Sequence, residues 1–283
     1  AISNGSKLVV VSKKLKNIQK GKVVIIKNTL GFLNKFAQKK RDRVSSKIIG
    51  ITGSSGKTTL KNSLGEMLSL SGKTFYSPKS YNNKFGVPLS LSNLQFTDDY
   101  GVFEIGMSKK GEIKNLSKIL KPDIGIITNI GNAHIENFNN QAQIASAKGE
   151  LIQNIKEGGT IILNKDDKYF TYLKNLAKKN KKKVLSFGLY KNSDFYVFSR
   201  KNYLNVEYIT FKLIDNFLQI KTKPLNDIQI KNLLCIFAVF NILGKEYDII
   251  KNNIDKIKLL EGRGKIFKVK KFNKRFYLID ESY

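Results

Sequence analysis

Residues 47–59 read Lys-Ile-Ile-Gly-Ile-Thr-Gly-Ser-Ser-Gly-Lys-Thr-Thr. The apolar first half predicts a strand, and the glycines and Lys-Thr pair that follow predict a turn leading into a helix. Gly53 and Gly56 allow backbone turns that bring main-chain N–H groups against an anion. Lys57 adds a positive charge, and the hydroxyl of Thr58 can ligate Mg²⁺. The stretch therefore predicts a phosphate-binding loop for a nucleoside triphosphate.

The loop is a variant of the strict phosphate-binding pattern. That pattern requires a glycine at position 51, where this chain has Ile51, and the glycines fall instead at Gly50, Gly53 and Gly56. The alternative interpretation is a glycine-rich turn that binds no ligand. The order of strand, loop, Lys-Thr pair and helix favours phosphate binding.

Length and composition indicate a soluble globular protein of one or two domains, since the chain has 283 residues and 41% of them are hydrophobic. The formal net charge of +29 would suit a nucleic-acid or anionic-membrane partner. The lysines are scattered, however, and form runs at 39–43 and 178–183. We therefore interpret the charge as compositional drift with solvated runs, and expect no nucleic-acid partner.

Cysteine usage and the chain start bear on the cellular compartment. Cys235 is the only cysteine, so no disulfide framework exists, and we expect a reducing compartment, the cytoplasm. The longest apolar run, 233–243, is shorter than the roughly 20 residues of a membrane span, so no span is expected. The chain starts at Ala1 without a methionine or the features of a signal peptide, and we expect a piece of a longer protein.

Short β-branched segments alternate with segments whose apolar residues recur every three or four positions. This alternation predicts a β-α-β series and an α/β fold, with a mostly parallel sheet covered by helices. The predicted strands are 47–52, 74–77, 100–105, 123–130, 160–164 and 184–187, and the predicted helices between them are 58–70, 112–120, 142–155 and 168–179.

The residues beyond Gly188 show the alternation of antiparallel strands, followed by two helical segments and a hairpin. The antiparallel strands would be a small addition to the main sheet. The predicted strands are 195–199, 203–214 and 217–221, the helices 227–243 and 247–257, and the hairpin strands 265–271 and 275–280.

The first 45 residues precede this series. They contain predicted strands at 8–12 and 23–26 and a predicted helix at 29–41, which we interpret as the end of a preceding domain. The charged stretch 38–46 is then the predicted linker to the phosphate-binding domain.

Polar residues that directly follow strands are candidates for chemistry, because ligands of open α/β sheets bind at the carboxyl ends of the strands. Glu104 ends an apolar strand and would be costly to bury as a charge unless a cation meets it. A Mg²⁺ ion shared with Thr58 would be such a cation. A glutamate that faces solvent or pairs with a lysine is an equal alternative.

Three further positions are candidates on weaker signals. His134, the only histidine, follows a strand end, but a lone histidine is more often a structural hydrogen-bonding residue than a ligand, so both interpretations stay open. Asn82 and Asn83 follow another strand end. Lys148 would, from its surroundings alone, be one more surface lysine.

Several motifs, in this order, resemble those of the Mur ligase family. They are Gly-Ile-Thr-Gly-Ser-Ser-Gly-Lys-Thr-Thr (50–59), Asn-Asn-Lys-Phe-Gly-Val-Pro (82–88), Glu-Ile-Gly-Met-Ser (104–108), Thr-Asn-Ile-Gly-Asn-Ala-His (128–134), Ala-Lys-Gly-Glu (147–150), Leu-Asn-Lys-Asp-Asp (163–167) and Asp-Glu-Ser-Tyr (280–283). The resemblance covers nearly the whole chain. The Asn-Asn and Ala-Lys-Gly-Glu motifs favour the member that joins D-alanyl-D-alanine to UDP-N-acetylmuramoyl-tripeptide.

The resemblance implies a three-domain enzyme, of which this chain would hold parts. It implies that 1–45 is the end of the N-terminal uridine-nucleotide domain, 46–258 the central ATP-binding domain and 259–283 the start of the C-terminal domain. The start of the first domain and most of the last would lie outside this sequence.

The resemblance also implies roles for individual residues. Lys148 matches a lysine that is carbamylated in the family, and a carbamate would offer anionic oxygens to a hard metal ion. ATP would contact Gly53, Ser54, Ser55, Gly56, Lys57, Thr58, Thr59, Asn232, Arg263 and Asp280. Two Mg²⁺ ions would be bound by Thr58, Glu104, His134 and Lys148. Lys57, His134 and Lys148 would serve catalysis, and Asn82 and Asn83 the substrate.

Two positions depart from the family pattern. Glu281 stands where an aspartate is usual, and no histidine precedes Asn232 within 228–231.

The implied reaction is phosphorylation of the tripeptide carboxylate by ATP, followed by attack of the D-alanyl-D-alanine amine on the acyl phosphate. The implied partners are small molecules, and the family implies a monomer. Other functions stay open: a ligase of the same fold with a different amino acid, a phosphate-loop ATPase acting on nucleic acid, and a non-catalytic nucleotide-binding remnant.

Overall fold

The computed structural model describes residues 1–14, 22–256, 265–271 and 274–280. The helices are α1 (Thr29–Arg43), α2 (Lys57–Ser69), α3 (Gly86–Asn93), α4 (Glu112–Leu120), α5 (Gln141–Gln153), α6 (Phe170–Lys179), α7 (Asp227–Ile242) and α8 (Asp248–Lys251). The strands are β1 (Val9–Val11), β2 (Val23–Ile25), β3 (Lys47–Thr52), β4 (Thr74–Tyr76), β5 (Tyr100–Glu104), β6 (Ile124–Ile127), β7 (Thr160–Asn164), β8 (Lys183–Gly188), β9 (Phe195–Tyr203), β10 (Val206–Leu213), β11 (Asn216–Thr222), β12 (Lys265–Lys271) and β13 (Lys274–Asp280). Across these residues, every helix is too short or too polar to cross a membrane.

A nine-stranded sheet organises the chain, in the order β11-β10-β9-β8-β7-β6-β3-β5-β4. Neighbouring strands from β4 to β9 pair in parallel, and β9, β10 and β11 pair antiparallel. The predicted α/β sheet and its antiparallel addition are therefore confirmed. The chain passes from β3 to β4 and β5 on one side and then to β6 on the other, so a crevice opens at the carboxyl ends of these strands.

Hydrophobic cores fill both faces of the sheet. On one face α2 and α7 pack against the strands, and on the other α3, α4, α5 and α6 do so. α7 is apolar over most of its surface, and Phe237 at its centre is fully buried. The Phe237 ring lies 5.2 Å from the ring of Phe211 in β10 and 5.8 Å from that of Tyr247. A helix that is apolar all round is expected only where it is covered on all sides.

Two local predictions in the antiparallel region and the last helix are wrong. The segment 203–214 is not one strand, because Leu204 and Asn205 adopt positive φ angles of 42° and 70° and turn the chain between β9 and β10. Two such residues form a tight hairpin turn without glycine. The predicted helix 247–257 is limited to the single turn of α8 and a 3₁₀ turn at Ile254–Lys256.

Helix α3 was not predicted, although its start has a recognisable signal. Oδ1 of Asn83 accepts hydrogen bonds from the backbone N–H groups of Phe85 and Gly86, both at 3.0 Å. Pro88 lies in the first turn, where its missing N–H costs no intrahelical hydrogen bond. Asparagine followed by proline within the first turn thus marks a helix start.

The charged stretch 38–46 is not a linker, since α1 continues to Arg43. Arg41 is 2% exposed, and its guanidinium donates to the carbonyl oxygens of Leu120 at 2.6 Å and Lys121 at 2.9 Å. It also pairs with Asp123 at 3.0 Å. Burial lowers the pKa of Arg41, which the Asp123 carboxylate partly offsets. The buried arginine therefore fixes α1 to the segment before β6.

Replacing Phe237 with alanine should lower the free energy of unfolding by about 3–5 kcal/mol, because it leaves a cavity between α7 and β10. Phe217, which is 56% exposed on β11, provides the matched control. Phe217→Ala should cost less than about 1 kcal/mol. Urea unfolding followed by circular dichroism measures both variants, and equal losses would contradict the burial of α7.

Candidate functional site

β3 ends in a turn that places the predicted phosphate loop against the end of β6. Gly53 has a φ of 150°, and a Cβ at this position would lie 1.9 Å from Oγ1 of Thr128. Gly56 has a φ of 79° and precedes the first residue of α2. Glycine meets both requirements without strain. The turn brings the N-terminus of α2 to the crevice beyond β3, where a helix N-terminus favours a bound anion.

The segment after β6 holds this loop from the side. Oδ1 of Asn129 accepts from the backbone N–H groups of Ser54 at 3.2 Å and Ser55 at 3.0 Å. The Thr128 hydroxyl donates to the Ser55 carbonyl oxygen at 2.7 Å, and the Gly131 N–H donates to Oγ of Ser54 at 2.8 Å. Sequence reasoning gave Thr128 and Asn129 no role. Their position directly after a strand was the available signal.

Two lysines meet at one carbonyl oxygen of the loop. Nζ of Lys57 and Nζ of Lys148 each donate to the Gly53 carbonyl oxygen at 3.0 Å. Lys148 projects from α5 and is 2% exposed, so the surface-lysine interpretation is wrong. Burial, and secondarily repulsion from Lys57, lower the pKa of Lys148 to about 7. A substantial fraction of Lys148 is therefore a neutral, nucleophilic amine at neutral pH.

Glu104 is buried at the end of β5, with 1% of its surface exposed. Oε2 accepts a hydrogen bond from the Thr58 hydroxyl at 2.8 Å, and Oε1 accepts one from the Asn82 side-chain amide at 2.7 Å. The solvent-facing alternative for Glu104 is wrong. The first turn of α2 and the end of β5 thus place a hydroxyl and a carboxylate side by side.

These groups line one cleft of about 880 Å³ at the carboxyl edge of the sheet. His134 lies on the cleft wall with a positive φ of 66°, and its side chain is 44% exposed. Nδ1 of His134 lies 3.7 Å from Oε1 of Glu136. The predicted site residues that line the cleft are Ser54, Ser55, Gly56, Lys57, Thr58, Asn82, Asn83, Glu104, His134 and Lys148. The structure therefore brings most of them together.

The donor set of the cleft fits Mg²⁺ bound together with phosphates. The described part of the chain has no cluster of three or more His, Cys, Asp or Glu that could hold a metal ion. Mg²⁺ commonly takes one or two carboxylates from the protein and its remaining ligands from phosphates and water. Thr58 and Glu104 offer two oxygens 2.8 Å apart, next to a loop suited to phosphates.

Asn232 lies in α7 on the other side of the phosphate loop. It lines a small cavity of about 30 Å³ together with Ser55, Gly56, Phe187 and Ile228. Nδ2 of Asn232 is buried and has no hydrogen-bond acceptor among the described residues. Such an amide costs about 1–3 kcal/mol, so an acceptor on a ligand would bind there favourably. A purine ring needs more room than this cavity has.

Thr59 is not among the residues that line the cleft, because it is buried in the first turn of α2. Asn83 does line the cleft, while its Oδ1 is used to start α3. Arg263 lies outside the described residues, as does Glu281, and for Asp280, the last residue of β13, only the backbone is described. The nucleotide contacts assigned to Arg263 and Asp280 stay predictions.

Residues 51–240 match the family model described as the Mur ligase middle domain. A relative from Rickettsia prowazekii (strain Madrid E), named UDP-N-acetylmuramoyl-tripeptide--D-alanyl-D-alanine ligase, is 32% identical over 273 residues, which cover 95% of this chain and 60% of the relative. A relative of the same name from Escherichia coli (strain K12) is 30% identical over 266 residues, covering 92% of this chain and 57% of the relative. The chain thus spans about 60% of the length of the curated relatives that it matches.

Solved structures show the same fold. A crystal structure of MurF from Acinetobacter baumannii has a TM-score of 0.87 and 25% identity, covering 100% of this chain and 60% of that one. A MurF ligase from Thermotoga maritima in complex with ADP has a TM-score of 0.85 and 27% identity, covering 100% of this chain and 63% of that one. The family resemblance inferred from the motifs is confirmed: this chain belongs to the Mur ligase family.

Proposed function

We propose that this chain provides the ATP-binding part of an ADP-forming ligase that joins D-alanyl-D-alanine to UDP-N-acetylmuramoyl-tripeptide in peptidoglycan precursor synthesis. The observation that carries the proposal is the single cleft in which Lys57, Thr58, Glu104 and Lys148 surround the end of a phosphate-binding loop. Relatives whose names state this activity match almost the whole chain. Because the chain spans 60% of the first of them, the complete reaction is proposed for the full-length protein.

The cleft suits the phosphates of ATP. The loop backbone and the N-terminus of α2 favour a multiply charged anion. Lys57, already held against the loop by the Gly53 carbonyl, would offset the charge that develops on the transferred phosphoryl group. Asn232 would donate its unpartnered amide N–H to the base, once the side chains around its small cavity make room.

Thr58 and Glu104 would hold one Mg²⁺ ion, and His134 with a carbamate on Lys148 a second. The ions would neutralise the phosphates during transfer. The protein groups orient this arrangement: Asn82 fixes one carboxylate oxygen of Glu104 and leaves the other facing Thr58.

Lys148 is suited to carbamylation. Its neutral amine would attack the carbon of CO₂, form an N–C bond and lose a proton to solvent, giving an anionic carbamate. The pKa of about 7 supplies the neutral amine at neutral pH. Conversion to an anion would also replace the repulsion between Lys148 and Lys57 by attraction.

The tripeptide carboxylate would attack the γ-phosphorus of ATP, releasing ADP and forming an acyl phosphate. The amine of D-alanyl-D-alanine would then attack the acyl carbon and release phosphate. We place the peptide at the open side of the cleft, where Asn82, Asn83 and Phe85 line the wall. Close placement of both reactants supplies much of the rate in such a reaction.

We retain the proposed division into 1–45, 46–258 and 259–283 for the three domains. The hairpin of β12 and β13 supports the last boundary, because its large apolar residues Phe276, Tyr277 and Leu278 are exposed. Helix α1 nevertheless packs on the central domain, with Ala37 fully buried. We propose that the protein acts as a monomer in the cytoplasm.

The full-length protein should release phosphate from Mg-ATP when both UDP-N-acetylmuramoyl-tripeptide and D-alanyl-D-alanine are present. Lys57→Met should lower kcat by roughly 100-fold or more, because it removes charge stabilisation in the transition state. Lys121→Met, at a residue with a 46% exposed side chain, is the control and should leave kcat unchanged. Phosphate release that does not depend on the two substrates, or that is stimulated by nucleic acid, would contradict the proposal. A requirement for a different amino acid would indicate another ligase of the same fold.

The stability of the protein relative to Lys148→Met should rise with pH. The folded-state pKa of Lys148, about 7, is below the unfolded value of 10.5. The buried charge of Lys148 therefore destabilises the folded protein fully below pH 7, and this cost disappears as the pH rises toward 10.5. Urea unfolding in CO₂-free buffer should show a relative gain of roughly 2 kcal/mol between about pH 7 and about pH 9. A stability difference between the two proteins that does not change with pH would contradict the lowered pKa of Lys148.

Carbamylation of Lys148 should be visible directly. In ¹³C-bicarbonate buffer, the protein should show a carbamate carbon resonance that is absent from Lys148→Met and lost on acidification. The signal should strengthen as the pH rises from about 6 to about 8, since the amine becomes neutral through pH 7. A spectrum identical to that of Lys148→Met would exclude the modification.

A further inference from the structure

Lys61 is a lysine whose side chain is fully buried in α2. Its Nζ donates to the carbonyl oxygen of Lys79 at 2.6 Å and to the carbonyl oxygen of Ser77. Burying an ammonium group is costly unless hydrogen-bond acceptors surround it. The two carbonyl oxygens offset part of this cost for Lys61. Lys61 does not line the cleft, and the proposed reaction gives it no part.

The two carbonyls belong to the loop 77–85, which carries Asn82 from β4 to α3. Most side chains of this loop are exposed, but its backbone is held at its second half. The Asn82 carbonyl oxygen accepts from the Gly106 N–H at 2.8 Å, and a Cβ on Gly86 would lie 2.6 Å from the backbone carbon of Tyr81. Asn82 follows the Lys61-bound carbonyl of Lys79 by three residues, so a displacement at the start of the loop would reach it over a short stretch of chain.

α2 reaches Glu104 by two routes. The direct route is the hydrogen bond from Thr58 to Oε2. The indirect route runs from Lys61 through the loop to Asn82, whose amide donates to Oε1. Thr58 and Lys61 are three positions apart and so lie on neighbouring parts of one helix face. Both carboxylate oxygens of Glu104 are thus positioned from the same helix that follows the phosphate loop.

We propose that Lys61 is a positioning residue: by binding the carbonyls of Ser77 and Lys79 it fixes the loop that holds Asn82 against Glu104, and so orients this carboxylate for the Mg²⁺–nucleotide complex. The Mg²⁺ part of the inference rests on the proposed function. Without Lys61, the loop would shift, Asn82 would leave Oε1, and Glu104 would turn away from the direction in which it faces a metal ion beside Thr58.

The alternative is a purely structural role, in which Lys61 stabilises the fold and does not affect Mg²⁺ binding. Arg41 is a matched control for it, because its buried cation also bonds two backbone carbonyls, those of Leu120 at the end of α4 and of Lys121 directly after it. This segment precedes β6 and lies at the opposite edge of the sheet from the cleft. Either replacement should lower the stability of the protein. Only the replacement of Lys61 should change the Mg²⁺ dependence of ADP binding.

The test compares Lys61→Met and Arg41→Met in the full-length protein. Calorimetry measures ADP binding over a range of MgCl₂ concentrations and in EDTA. Lys61→Met should raise the Mg²⁺ concentration for half-maximal enhancement of ADP affinity by about tenfold, since a small misplacement of a ligating group is costly. ADP affinity in EDTA should stay unchanged, and Arg41→Met should shift neither quantity.

Hydrogen exchange without nucleotide tests the positioning step itself. Exchange in 77–86 should accelerate at least about tenfold in Lys61→Met and not in Arg41→Met, because the loop loses its tie to α2. If Lys61→Met does not fold, Lys61→Arg decides: its guanidinium is larger than the ammonium group and cannot hold both carbonyls in the same positions, so a smaller shift in Mg²⁺ dependence is expected.

Mg²⁺ dependence and loop exchange equal to those of Arg41→Met would overturn the role of Lys61. Unchanged values in Lys61→Arg, where this variant decides, would overturn it as well. Failure of the unsubstituted protein to bind Mg-ADP would instead count against the proposed function, and in that case loop exchange alone decides whether Lys61 positions Asn82.

Discussion

The absence of a side chain at Gly53 is the constraint on which the cleft depends. With a φ of 150° and no room for a Cβ beside Thr128, the backbone passes so close to the end of β6 that Asn129 reaches the N–H groups of Ser54 and Ser55. The same turn places the Gly53 carbonyl where the two lysine side chains converge on it. One steric requirement therefore sets the loop path, its lateral support and the position of its cations.

Much of the sheet could be predicted because parallel strands buried on both faces read as short continuous apolar runs. The predicted bounds of β3 and β7 match the structure, as do those of α4. The failures lie where long-range contacts override local pattern. The charged end of α1 reads as a linker, yet Arg41 is ordered by carbonyls about eighty positions later in the chain. The turn between β9 and β10 needs a positive φ angle at Leu204, which a leucine does not predict.

The residues of the candidate site also differ in whether the sequence alone could predict them. The phosphate loop could be predicted because each of its residue types has a local chemical reason, whereas the resemblance to a family was needed to single out Lys148. Composition explains this difference. In a chain with 51 lysines and arginines, a buried lysine looks like any other until the fold shows which carbonyls surround it. Lys61 could not be identified from the sequence for that reason. Thr128 and Asn129 could not be identified because their hydrogen-bond partners are more than seventy positions away.

Lys57 and Lys148 both donate to the Gly53 carbonyl oxygen, and two cations placed so close together favour binding of an anion. Two ammonium groups at 3.0 Å from the same acceptor repel each other, and the burial of Lys148 limits the screening of this repulsion by water. Burial, and secondarily this repulsion, lower the pKa of Lys148, so that deprotonation removes both penalties. A nucleotide phosphate in the loop would relieve the repulsion instead by favouring the charged form, whereas a carbamate would remove the second cation altogether. The proposed carbamylation would therefore be favoured before nucleotide binding, because the neutral amine that would react with CO₂ is most abundant while the loop holds no phosphate.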